Sequence, residues 1–135
     1  MKNLAKYFLI FVFTVLFLAK TPVVRADDDT AMKDAAANLC SVLKASDRDA
    51  FSKLLDASAQ NEMQWWWDAS GKGKYFNELF DHCAFDHIDP NSTADQKKVF
   101  IQRFNKGDGK PWGRPAPVVF KKDASGAWKI TGYSL

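Results

Sequence analysis

The chain has only two cysteines and two histidines. It contains no Cys-x-x-Cys pair, no Gly-rich phosphate loop and no nucleophile elbow. The zinc ribbon, the dithiol redox centre, the P-loop nucleotidase and the α/β-hydrolase are excluded on those grounds. Neither an internal repeat nor a low-complexity tract is present, which excludes a solenoid and a disordered tail. The apolar run near the start, Tyr7–Ala19, covers 13 residues and has Thr14 as its one polar member. That falls short of the roughly 20 residues needed to span a bilayer. No cysteine directly follows it, which argues against a lipid-anchored product.

What stands at the N-terminus instead has the layout of an export signal. Lys2 and Lys6 precede the apolar run, and Val24-Arg25-Ala26 offers small residues at the minus-three and minus-one positions of a cleavage site. A retained anchor is the alternative. The expected division is therefore a signal peptide over 1–26 and a single domain over 27–135, acting in a secreted or periplasmic setting. Cleavage also changes the charge. Four of the 19 basic residues and none of the 16 acidic ones lie in 1–26, so the remainder is close to neutral, at −1. Nucleic-acid binding depends on neutralising phosphates and is not expected of such a domain. The pairs Lys97-Lys98 and Lys121-Lys122 read as solvated faces.

An even pair of cysteines in an exported chain suggests a Cys40–Cys83 disulfide. Two buried thiols acting as small hydrophobes are the alternative.

Along the domain, Asp27-Asp28-Asp29-Thr30 suits a helix N-terminus. Met32, Ala35, Ala36, Leu39, Cys40 and Leu43 then form one apolar face of a helix of about 14 residues. Ser46-Asp47-Arg48-Asp49 looks like a cap for a second short helix carrying Ala50, Phe51, Leu54 and Leu55. Asn61 is expected to cap a third, with Trp66 and Trp67 on its inner side, and Ser70-Gly71-Lys72-Gly73 ends it. Tyr75, Phe76, Leu79, Phe80 and Cys83 have helical spacing, while Phe85–Ile88 alternates like a strand. Lys97–Asn105 sets Val99, Ile101 and Arg103 against Phe100, Gln102 and Phe104, a strand pattern, although Thr93 with Gln96 could instead open a helix. Residues 106–117, with their glycines and prolines, read as a loop. Val118–Lys122 and Ala127–Tyr133 around the Asp123–Gly126 turn form a hairpin. Helices first and strands after indicate an α+β domain, with N-terminal helices packed on an antiparallel sheet.

The ending, Val118-Val119-Phe120-Lys121-Lys122-Asp123 and then Gly126-Ala127-Trp128-Lys129-Ile130, resembles the last hairpin of NTF2-like, cone-shaped α+β proteins. The resemblance implies a curved antiparallel sheet around a long helix, with a hydrophobic pocket between them. Some members of that family are isomerases or dehydratases with an Asp or His in the pocket, and many others bind ligands or partners without catalysis. The Trp65-Trp66-Trp67 run departs from the family's usual pattern, and strands are few for a six-stranded sheet.

Two constellations carry chemical interest. Asp81-His82-Cys83-Ala84-Phe85-Asp86-His87 holds both histidines. Five residues apart, they fall about 140° apart on a helix and on opposite faces of a regular strand, so a shared metal is not expected; no cofactor is expected either. Asp86 with His87 is the candidate acid–base pair, because an aspartate can orient a neighbouring imidazole. Trp65, Trp66 and Trp67 are the candidate binding residues, since three consecutive helical side chains cannot all be buried on one face. Asn91-Ser92-Thr93 matches a glycan acceptor triplet. The expected function is an exported binding or interaction module for an apolar small molecule or a protein partner. The alternatives are a small isomerase, dehydratase or hydrolase using His87 and Asp86, and an envelope or host-directed structural factor.

Overall fold

A computed structural model describes residues 24–135 of the chain, with side chains from residue 28. The remainder of the expected signal segment lies outside the described residues. Helix α1 spans Val24–Ala45, longer than the apolar periodicity alone implies. Nothing from Val24 to Thr30 is a helix breaker, so the aspartates expected at its N-terminus sit within its first turns instead. Met32, Ala36, Leu39, Cys40 and Leu43 are buried along one stripe, as their spacing requires. No helix among the described residues is long and apolar enough to cross a membrane.

The end of α1 is set by Ser46, which adopts a left-handed φ of 53°. Its N–H donates to the Leu43 carbonyl and that of Asp47 to the Val42 carbonyl, satisfying two otherwise orphaned acceptors. Asp47 then caps helix α2, Arg48–Leu54, by accepting from the Ala50 N–H at 3.0 Å. A 3-10 turn, Ala57–Ala59, leads into helix α3, Gln60–Met63. Asn61 lies inside α3 rather than capping it, since the preceding 3-10 turn already delivers the chain in helical geometry. The chain continues as a π-helical stretch, Gln64–Ala69, closed by Ser70 N–H on the Trp65 carbonyl. A wider turn brings consecutive side chains closer in direction. Trp66 and Trp67 are thereby both buried, and Trp65 is turned out.

Phe51 is fully buried at the centre of the aromatic core, with its ring centroid 5.5 Å from Trp66, 5.2 Å from Trp67 and 5.5 Å from Tyr133. Gly73 passes so close to this group that a Cβ there would lie 2.4 Å from the Trp67 ring and 2.6 Å from the Trp66 ring.

The helical spacing of 75–83 is realised only in part. Helix α4 is one turn, Phe76–Leu79, and the chain extends into strand β1, Phe80–Ile88. Phe80 and Cys83 are buried against helices from a strand, where bulged pairing places them inward despite their helical spacing. Strand β2 is Gln96–Asn105, which settles that segment as a strand; Thr93 and Gln96 bond to each other in the turn before it.

Strand β3 runs Pro111–Lys122, so the expected loop over 111–117 is corrected to strand. The Pro117 carbonyl accepts from Ser134, on the side away from β2. Its ring nitrogen points the same way, so the missing N–H costs no bond to β2. Gly113, at φ 62°, provides the bulge between the Ile101–Ala116 and Arg103–Trp112 pairs. Strand β4, Trp128–Tyr133, completes the expected hairpin.

The four strands form one antiparallel sheet in the order β1-β2-β3-β4. Val99, Ile101, Ala116, Val118, Phe120 and Ile130 line its inner face against the helices. Leu55 bridges to Ile130, and the Asp56 N–H donates to the Ile130 carbonyl at 2.8 Å, stitching the helical layer to β4. Cys40 of α1 and Cys83 of β1 form a disulfide across 43 residues of sequence. Closing a loop of that length contributes about 4 kcal/mol through the entropy it removes from the unfolded chain. The fold is thus α+β, with N-terminal helices packed on an antiparallel sheet.

Candidate functional site

Alternation along β2 determines what each end of the sheet can do. Val99 and Ile101 point into the core, and the next residue in that phase is Arg103. The sequence therefore sends a cation toward the apolar side of the sheet. Arg103 lies opposite Cys83 on β1 and Trp112 on β3. There the short helix α4 and the first residue of β1 bring Phe76 and Phe80 together, with ring centroids 4.9 Å apart. Trp112 closes the other side, 5.4 Å from Phe80 and edge-on to it. Between these rings and Trp66 opens a cleft of about 320 Å³. Leu79 and Lys72 stand at its walls, and Lys72 reaches over the Trp65 ring at 5.7 Å.

The Arg103 guanidinium sits 4.7 Å from the Trp112 ring centroid and 5.7 Å from that of Phe80. Each ring attracts a cation through its quadrupole but provides no hydrogen-bond acceptor in its plane. Among the described residues Arg103 has no ion-pair partner, and its buried Nε has no hydrogen bond. Burial pulls its pKa below the ordinary arginine value, yet a guanidinium stays charged in proteins. Two more buried polar atoms nearby also lack partners, the Trp66 indole Nε1 and the Tyr133 hydroxyl. Burial, with a smaller contribution from Glu62, pushes the Tyr133 phenol well above its usual pKa and keeps it neutral.

The histidines lie elsewhere. A register shift between Phe85 and His87 inserts one extra residue into β1. His82 then pairs with Phe104 and His87 with Phe100, two residues of the same face of β2. The expectation that the two imidazoles occupy opposite faces is corrected by this bulge, because a strand's two-residue period holds only while pairing is regular. Each imidazole lies flat on its phenylalanine, at 4.4 Å in both cases. Each Nδ1 donates to the preceding aspartate, His82 to Asp81 at 2.7 Å and His87 to Asp86 at 2.5 Å. The two units stand four residues apart along β2, roughly 13 Å, too far to share an ion. Among the described residues there is no group of three potential metal ligands. The side chains of Asp86 and His87 are 40% and 51% exposed, and neither walls the cleft.

Of the three tryptophans expected to bind, Trp66 lines the cleft, Trp67 is packed in the core and Trp65 is 58% exposed beside the rim. Leu79 and Trp112, two further exposed large hydrophobic residues, belong to the same rim. Sequence reasoning passed over Arg103, Phe76, Phe80 and Trp112 as site residues. The signal for Arg103 was its phase: a cation in step with Val99 and Ile101 is misplaced unless it has a task. Trp112 carried no such signal, because its segment reads as a loop. At the opposite end of the sheet a wider, polar depression of about 560 Å³ lies among Asp28, Asp29, Asp89 and Lys97. Comparison with protein-family models, curated proteins and solved structures finds no match to this chain.

Proposed function

We propose that the protein is an exported, NTF2-like binding module whose cleft between helices and sheet takes a small apolar ligand. One observation carries the reading: four aromatic rings, from Trp66, Phe76, Phe80 and Trp112, line a half-open cleft of about 320 Å³. Concave, mostly apolar recesses of this size with few polar groups are where small molecules bind. The Cys40–Cys83 disulfide and the signal-like N-terminus support an oxidising compartment outside the cytoplasm. The order of helices before an antiparallel meander supports the NTF2-like shape.

A second reading, docking of a protein partner over the rim, draws on the exposure of Trp65, Leu79 and Trp112 around one opening. An acid–base role for Asp86 and His87 draws on their close contact, but they stand on an exposed strand surface outside the cleft.

Native mass spectrometry of the protein recovered from the export compartment of an expressing cell separates these readings. A small molecule retained by the wild type and lost on Trp112→Ala supports the cleft. A bare protein that holds a macromolecular partner, and releases it on Trp65→Ala with the fold intact, replaces the cleft reading with the docking one.

A further inference from the structure

We infer that the cleft is specific for a small amphiphilic anion: a carboxylate or similar oxyanion on an apolar ring or chain, its charged end seated on Arg103. This rests on the cleft being a binding site and names the chemistry of what enters.

The argument begins with cost. Placing a charged guanidinium on the apolar side of a sheet loses hydration that a carboxylate partner ordinarily offsets. Arg103 has no such partner among the described residues. An aliphatic residue continuing the Val99 and Ile101 row would avoid the loss. The neighbouring rings of Phe80 and Trp112 hold the guanidinium in place while leaving its buried Nε–H without an acceptor. A guanidinium is a planar fork of five N–H donors whose geometry matches a two-oxygen anion.

Charge at the walls points the same way. Two charged side chains line the cleft, Arg103 and Lys72, both cations, and no acidic side chain does; Leu135, the last residue of the sequence, lines it too, with no ion pair to Arg103. Apart from Asn105, the rest of the lining is aromatic or aliphatic. A neutral hydrocarbon would leave the buried Arg103 Nε–H without an acceptor, and a bare inorganic anion would leave the rings unused. The volume, about 320 Å³, sits at the small end of ligand pockets and admits a bicyclic ring or a medium alkyl chain.

The test uses matched probes: 2-naphthoate against 2-naphthylmethanol, and decanoate against decanol, titrated calorimetrically into the wild-type protein and into Arg103→Gln. In the wild type each acid binds at least roughly tenfold tighter than its alcohol, as charge-assisted hydrogen bonds predict. In Arg103→Gln the acid loses more affinity than the alcohol, so that the preference falls below about twofold and the difference is assigned to the anion contact. If Arg103→Gln does not fold, Arg103→Lys keeps the charge without the fork, and the preference drops several-fold. A stronger response to naphthoate than to decanoate identifies a ring-bearing ligand, and the reverse identifies a chain. Equal affinity for acid and alcohol in the wild type overturns the inference while leaving the cleft as a neutral-ligand site. A preference that survives in Arg103→Gln overturns it too. Failure of all four probes to bind removes the cleft reading itself.

Discussion

Strand β2 has two faces built by different means. Val99 and Ile101 are fully buried beneath helices that come from distant parts of the chain. Phe100 and Phe104, on the other face, are half-buried; each carries an imidazole from the adjacent strand stacked on it, and Phe100 also has the Lys98 amine 5.5 Å from its ring centroid. The inner face is held by long-range packing of many side chains. The outer face is held by two local units, each an aspartate, a histidine and a phenylalanine. Burial energy scales with apolar area removed from water, whereas a cross-strand pair on a wet surface contributes only a fraction of that. The contrast places global stability on one face and leaves the other nearly free to change.

The sharpest way to break that contrast is to empty the inner face. Phe51→Ala, at the junction of Trp66, Trp67 and Tyr133, is expected to lower the unfolding free energy by about 3–5 kcal/mol in a urea titration. His87→Ala and His82→Ala on the outer face are expected to cost less than about 1 kcal/mol each by the same measurement. A histidine substitution as damaging as Phe51→Ala would show that the outer face is part of the core, and the two-face description would fall.

The smallest effect concerns acid. The hydrogen bond from His82, the largest influence, with help from Lys44 and Lys106, holds the Asp81 carboxyl below the ordinary aspartate range. A carboxylate whose folded pKa is depressed stabilises the fold above its unfolded pKa, and that stabilisation fades as pH falls through the folded value. Asp81 should therefore titrate below the usual aspartate value in a carbon-detected NMR series, and His82→Ala should move it back up toward that value. An Asp81 midpoint unmoved by His82→Ala would mean that the surface unit does not act as a unit.

Much of the architecture was legible because it rests on uninterrupted periodicity. The apolar stripe of α1, the alternation of β2 and the turn-bearing hairpin of β3 and β4 are each regular over several residues, and the two cysteines had one partner to choose. What was hidden depended on irregularity. The bulge after Phe85 reverses the phase of β1, so counting residues puts His87 on the wrong face. Prolines at 111, 115 and 117 suggest a loop, and only the pairing shows that the Pro117 nitrogen points away from β2. The buried pair Trp66 and Trp67 needs a π-turn that no propensity announces. The cleft was half legible: Arg103 stood out of place within a readable strand, but its aromatic neighbours come from three segments that only the fold brings together.

The Cys40–Cys83 bond also decides how the molecule bears load. If the two ends of the described chain are pulled apart, tension passes from α1 through the sulfurs into β1, and the segment between them is bypassed. About 43 residues, including α2 and the tryptophan run, are withheld from extension, shortening the stretched chain by roughly 150 Å. Most of the helical layer and one wall of the cleft thus lie in a mechanically shielded loop, which only a reductant would bring under strain.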